Sequence, residues 1–403
     1  MKMERENKDV VFENRRKRGH SAVSEMQTMM ERLKKKMRIA VVFGGDKSRD
    51  GAVLYKSHNT RPWKSYEQVA IDIQNSLREI GFRHVSLFPS DMTLLESLKK
   101  DGTHLVWLNT GGVQGCNPVC HAPALLEMLG VPYIGENSVS ATVLDGKHIF
   151  KKSLIGLEGY GVYSSPFITW NPVLGGADPR TTKSFRNAFG SYAGPFVVKP
   201  VSGRASLHVH KVDTLEELPR FIDEVYEKTR NHVLIEKFLS GPEYCVAICG
   251  KTVAKGVEIY RSKNQFTFSH IERVLEEGEE IFTSMDKKAI TRNRARLLDP
   301  RKEEKLIGRL DEISRVIYER LYLSGLVRLD IRANGNGRLN VLEVNPKPDL
   351  KRDKGGVMSL VSMGLHLFGM TYNDLINSLV VDRLYGVLIG KNESQPHISN
   401  LLL

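Results

Sequence analysis

A chain of 403 residues, 41% of them hydrophobic, can bury a large core and is expected to divide into two or three domains. It has no run of about 18 apolar residues and no apolar N-terminal leader, which argues against a membrane span and makes the cytoplasm the expected compartment. The net charge of +12 raises nucleic acid as a partner, but residues 1–36 alone hold eleven Lys/Arg against six Asp/Glu, clustered at Arg15–Arg18 and Lys34–Lys36.

Such a basic segment is expected to be a solvated, disordered extension, with Met37 as an alternative start directly before the first apolar run. Arg38–Phe43 is that run; closed by Gly44-Gly45, it reads as a buried parallel strand and a loop. Val69, Ile73, Leu77 and Ile80 recur on one helical face of Tyr66–Gly81. His84–Phe88, His104–Asn109 and Val131–Ile134 read as further strands, and their alternation with helices predicts a parallel α/β domain over residues 37–140. A small lobe is expected over 141–230, with Asn171–Ser191 as loop, strands at Pro195–Lys199 and Ser206–Val212, and a helix over Leu215–Lys228.

A larger lobe over 231–390 follows, with strands at His232–Phe238, Glu243–Cys249 and Thr252–Tyr260 and a helix over Glu303–Leu323. Gln265–Arg296 reads as an irregular, mobile cover, and 391–403 as a tail. The cysteines fall in two pairs, Cys116/Cys120 and Cys245/Cys249, which make no disulfide framework. Zinc would need four ligands at tighter spacing, so buried thiols are expected even with His121 beside the first pair.

The chemistry concentrates in Leu326–Asn345. Two apolar strands flank Asn334-Gly335-Asn336-Gly337, a hairpin signal. Alternation puts Arg328 and Asp330 on one face of the first strand, and Glu343 and Asn345 on one face of the second. Charges inside so apolar a run are costly unless they hold a ligand or each other. Hard oxygen donors of this kind suit Mg2+ completed by phosphate and water.

R-x-D followed by E-x-N resembles the metal signature of the ATP-grasp superfamily, and the surrounding sequence most resembles the D-alanine–D-alanine ligases. The resemblance implies an ATP-grasp fold of the α/β and α+β classes: a parallel α/β domain followed by two α+β lobes enclosing ATP. It implies that Asp330, Glu343 and Asn345 hold two Mg2+ ions, replaceable by Mn2+, and that Arg328 faces an acyl phosphate.

Other segments extend it. Phe196–Pro200 resembles the strand whose lysine, here Lys199, contacts ATP phosphates, and Leu144–Lys152 a stretch in which Lys147 does so. Ile235–Gly250 resembles the family pattern in which Glu236, Lys237, Phe238 and Leu239 line the adenine and Glu243 accepts from the ribose. Ser359-Leu360 is carried over as the substrate-binding pair, which makes Ser359, with Arg328, a candidate catalytic residue.

The departures gather on the substrate side. The glutamate expected to bind the first substrate's amine has no clear counterpart, with Asp50 and Glu67 as stand-ins. The glycine-rich loop over the phosphates is replaced by Gly203-Arg204-Ala205-Ser206-Leu207-His208, in which Arg204 or His208 is expected to take over phosphate binding.

The expected function is therefore ATP- and Mg-dependent joining of a carboxylate to an amine, with an amino acid or peptide other than D-alanine as substrate. Two alternatives stand beside it: D-alanine–D-alanine ligation itself, and a nucleotide-binding scaffold without catalysis. The expected partner is a small amino-acid or peptide substrate, with a homodimer as one open arrangement. Neither membrane nor nucleic acid is expected.

Overall fold

A computed structural model describes residues 23–175, 178–282, 290–291, 293–353, 359–390 and 395–403. The basic extension departs from expectation. Residues 23–36 form a helix (α1) in which Met26, Met30 and Leu33 are buried against Ile73, Leu77 and Phe82. Its lysines and arginines mask an apolar stripe at helical spacing, and that stripe decides the packing.

The first sheet contains β1 (Arg38–Gly44), β2 (His84–Ser90), β3 (Leu105–Asn109) and β4 (Tyr133–Ile134), all parallel, in the order β2-β1-β3-β4. Between them run α2 (Glu67–Ile80), α3 (Leu94–Asp101) and α4 (His121–Leu129). α2 buries Val69, Ile73 and Leu77 and stops at Gly81, whose φ of 114° a side chain would disfavour. Then come α5 (Ser138–Asp145) and α6 (Lys147–Ser153).

The second sheet, β5-β8-β6-β7, is antiparallel and comprises β5 (Phe167–Trp170), β6 (Phe196–Pro200), β7 (His210–Val212) and β8 (Val233–Lys237). Because β8 pairs with β5 and β6, the small lobe runs to Lys237 instead of ending at 230. The expected loop Asn171–Ser191 contains a helix, α7 (Lys183–Phe189), which Thr182 caps by accepting from the Phe185 amide. Phe185 and Phe189, one turn apart, are its buried anchors. α8 (Leu218–Thr229) covers this sheet through Leu218, Ile222 and Val225. The strand expected from Ser206 begins only at His210, because Ala205, Ser206 and His208 adopt left-handed backbone, with φ of 54–57°.

The third sheet is antiparallel, in the order β13-β12-β9-β14-β15. Its strands are β9 (Glu243–Cys249), β12 (Phe266–Arg273), β13 (Ala295–Leu297), β14 (Val327–Ala333) and β15 (Leu339–Asn345). The strand expected over Thr252–Tyr260 is a separate hairpin, β10 (Thr252–Lys255) and β11 (Glu258–Arg261), turned at Gly256. β12 lies inside the segment read as an irregular cover: a bulge after Phe268, with Ser269 at φ 52°, breaks the alternation that marks a strand.

α9 (Glu304–Arg320) lies under one face of this sheet, its Leu310, Ile313 and Ile317 meeting Val327, Leu329 and Ile331. α10 (Tyr372–Leu388) packs on α2 and β10 and joins the first sheet to the rest of the core. In the expected tail, α11 (Pro396–Ser399) buries Ile398 in that core. No helix among the described residues is long and apolar enough to cross a membrane.

Candidate active site

The hairpin β14–β15 positions the site. Arg328 stands opposite Asn345 and Asp330 opposite Glu343, yet Ile331 stands opposite Val341, so Leu342 is an extra residue. Strict alternation from Val341 would put Glu343 on the face of Ile331, buried over α9. The bulge reverses the phase, and all four polar side chains share the open face. Folding about the turn is expected to bring these four side chains to one patch, and the bulge is what sets that phase.

Asp330, 2% exposed, accepts a bidentate pair from Arg328, Nε to Oδ1 at 2.8 Å and Nη2 to Oδ2 at 2.9 Å, and a third bond from Arg273 Nη2 at 2.9 Å. The Cys245 thiol adds a contact at 3.4 Å. Burial alone would raise the Asp330 carboxyl, but Arg273 and Arg328 hold it well below the usual range. Glu343 accepts from Lys147 Nζ at 3.0 Å. Against the same pull of burial, Lys147 and then Lys199 bring its carboxyl down. The Asn345 amide donates to Asp330 at 3.3 Å and Glu343 at 3.5 Å.

This face opens on a cavity of about 500 Å³ between the second and third sheets, reached also by the loop before α2. Lys199 and Glu236 meet in its wall, and Lys151 binds the same carboxylate at 2.8 Å. One carboxylate thus serves two ammonium groups. Burial raises the Glu236 carboxyl, but Lys151 and Lys199 outweigh it and hold it at about 2. The same burial, with repulsion from Lys199, pulls Lys151 down. Lys237, Phe238 and Leu239 line the cavity, with Lys237 Nζ 4.0 Å above the Tyr192 ring and the Arg332 guanidinium 4.9 Å from the Phe238 ring. Glu243 is held by Arg273 and by Arg332 at 3.6 Å.

Arg328, Lys147, Lys199, Glu236, Lys237, Phe238, Leu239, Glu243, Asp330, Glu343 and Asn345 therefore all line one cavity. Two of them differ in posture from expectation: Glu236 pairs with lysines, and Lys147 reaches Glu343. Ser359 is not brought to the wall. Its buried hydroxyl donates to the Asp349 carbonyl and accepts from the Val361 amide at 3.1 Å, bracing the chain. Asp50 and Glu67 are exposed and line no part of the cavity.

Arg204 lines it and His208 does not. Of the expected cover, Ser206 reaches Phe282, its hydroxyl donating to the carbonyl at 2.9 Å, while 283–289 lie outside the described residues. Cys116 is exposed, contrary to the expectation of buried thiols, and Cys245 and Cys249 are buried. Sequence reading missed Lys151, Arg273 and Arg332, which come from separate elements. For Lys151 the signal was the second lysine of Leu144–Lys152.

Among the described residues, no three His, Cys, Asp or Glu side chains cluster as a metal site. Two carboxylates and an amide do converge, a donor set that fits Mg2+ sharing its shell with phosphate oxygens and water.

A parallel α/β domain followed by two sheet lobes closing on a cavity of lysines, arginines and paired carboxylates is the architecture of an ATP-grasp enzyme. The sequence model described as the D-ala D-ala ligase C-terminus matches residues 164–381. The D-alanine–D-alanine ligase of Aquifex aeolicus (strain VF5) is 28% identical over 256 residues, covering 64% of this chain and 75% of that protein.

Two solved structures share the fold. The D-alanine–D-alanine ligase of Bacillus anthracis, complexed with ATP, has a TM-score of 0.61 at 20% identity, over 89% of this chain and 99% of that one. The VanG D-Ala:D-Ser ligase of Enterococcus faecalis has a TM-score of 0.60 at 17% identity, over 86% and 99%. The chain belongs to the D-ala D-ala ligase family, as an ATP-dependent ligase that forms a carbon–nitrogen bond.

Proposed function

We propose that the chain joins an amino acid or small peptide to an amine through an acyl phosphate, with ATP bound between the second and third sheets and a substrate other than D-alanine. The observation that carries the reading is the bulged hairpin, which gathers Arg328, Asp330, Glu343 and Asn345 on the face open to the cavity.

In this reading Asp330, Glu343 and Asn345 hold Mg2+, two ions by resemblance, which neutralises charge on the phosphates when bound. Lys147 and Lys199 bind phosphate oxygens. Phe238 and Leu239 pack on the adenine, with Glu236 and Lys237 beside it, and Glu243 accepts from the ribose. Arg328 faces the carboxylate that receives the γ-phosphoryl group and stabilises the charge that develops there. The amine then attacks the acyl carbon and phosphate leaves. Ser202–His208 and the described segment ending at Phe282 exclude water from the intermediate. The cytoplasm, where ATP is at hand, is the proposed compartment.

The reading favours a substrate other than D-alanine because neither stand-in for the amine-binding glutamate reaches the cavity. ADP release measured over a panel of amino acids and dipeptides, singly and in pairs, with mass spectrometry of the products, tests it. Asp330→Ala and Glu343→Ala are each expected to lower kcat by at least about 100-fold, the scale of losing one transition-state charge stabiliser. Unchanged ADP release in both variants refutes the metal assignment. D-alanyl-D-alanine as the sole product refutes the substrate assignment.

A further inference from the structure

One wall of the cavity is built around a single phenol. Lys347, two residues past Asn345, places Nζ 3.4 Å from the centroid of the Tyr66 ring. The Arg204 guanidinium lies 5.7 Å from the same centroid and donates from Nη1 to the phenol oxygen at 3.2 Å. Lys64 Nζ stands 5.6 Å away. These cations come from three separate segments and converge on one side chain.

Neither Lys347 nor Arg204 has an ion-pair partner among the described residues. Asp145 is taken by Arg61 and by the Ser202 hydroxyl at 3.1 Å. Asp349 has Lys351 at 3.6 Å from Oδ2, while its Oδ1 is buried with no hydrogen-bond partner. Arg204 Nε is likewise buried without one. A buried donor beside other cations and a buried acceptor are both costly unless a ligand satisfies them.

Tyr66 is itself held in place at a cost. Its φ of 57° lies in the left-handed region, which strains an aromatic residue. Asn109 steadies the turn by donating to the Tyr66 carbonyl at 3.0 Å. Burial would push the phenol above its ordinary value, but the charges of Lys347, Arg61 and Arg204 bring it below.

We propose that this wall is a subsite for a second negative charge on the substrate, so that the amino acid bound here is an acidic one, its side-chain anion against Lys347 and Arg204 and its ammonium against Asp349 Oδ1. The inference rests on the ligase reading above and adds the substrate class. Lys199 and Lys147 lie in the wall beside the hairpin and β8, where they serve nucleotide phosphates in that reading. Lys347 has no nucleotide role in that reading, which leaves its side of the Tyr66 wall for a different anion. The departures from the family pattern fall on this same side.

The test compares isosteric pairs in both chiral forms: glutamate with glutamine, aspartate with asparagine, and phosphoserine with serine. Each is titrated by calorimetry into the full chain already loaded with Mg2+ and a non-hydrolysable ATP analogue, so that the phosphate positions are filled. ADP release with Mg-ATP is read for the same compounds.

The charged member of at least one pair is expected to bind about tenfold tighter or more, the scale of a charge-assisted contact. Lys347→Gln is expected to shrink that preference while the chain still binds the nucleotide analogue. Equal or tighter binding of the neutral members, or a preference that survives in Lys347→Gln, overturns the inference. ADP release with neutral amino acids alone would overturn it and leave the ligase reading standing. Preferential binding of an acid with no ADP release from any compound would uphold the subsite and overturn the ligase reading.

Discussion

Glu236 is the point at which the charge balance of the cavity can be read most directly. Its carboxyl, ordinarily near 4.5, lies at about 2 because two ammonium groups share it. That displacement corresponds to about 3 kcal/mol, in line with the cost of breaking a buried ion pair from one side. Glu236→Gln keeps the shape and removes the charge, leaving Lys151 and Lys199 facing each other in the interior. It is expected to destabilise the fold by about 3 kcal/mol at neutral pH.

Lys151→Met leaves a one-to-one pair and removes a like-charge repulsion, so its cost is expected to stay below about 2 kcal/mol despite the lost contacts with Ser164 and Ser165. Because the folded carboxyl is depressed, its stabilisation is complete above the unfolded value of 4.5 and lost as pH falls toward about 2. The gap between native chain and Glu236→Gln should therefore narrow over that window. Urea denaturation of the two variants across pH 3–7 measures all of this. A Glu236→Gln cost under about 1 kcal/mol, or a Lys151→Met cost matching it, would refute the assignment of two cations to one carboxylate.

Leu33→Ala tests the packed helix α1: full burial of Leu33 predicts a loss of about 2–5 kcal/mol, seen as a lower melting temperature, whereas a disordered extension predicts none. Ala205→Gly relieves left-handed strain in the loop over the cavity at some cost in chain entropy. It should be neutral or stabilising by up to about 1 kcal/mol in the same denaturation assay, and a loss of that size would show that the alanine methyl is needed for packing.

What could be read in advance followed regular periodicity. The spacing Val69, Ile73, Leu77 and the run Arg38–Phe43 carry a helix and a buried strand because nothing local competes with the pattern. The hairpin was legible from its turn and from charges in an apolar context. Where two bulges intervene, alternation misleads: β12 was hidden by the slip after Phe268, and the phase of Glu343 depends on Leu342. Helix α1 was hidden by its own charge. The partners Lys151, Arg273 and Arg332 stand far from the carboxylates in sequence, and only the pairing of β9 with β12 and β14 brings the two arginines to Glu243.

The ion pairs of the cavity make it resemble an ion-exchange resin more than an open basic groove. Lys147 acts as the resident counter-ion of Glu343, and Arg328 and Arg273 as those of Asp330. A cation competing for Glu343 releases an ammonium group, and an anion competing for Lys147 releases a carboxylate. Uptake of the two charges is therefore thermodynamically linked, each raising the affinity for the other by the same factor. Much of the electrostatic gain of binding is exchanged for pairs already present, so affinity here should respond less steeply to added salt than on an exposed cationic surface.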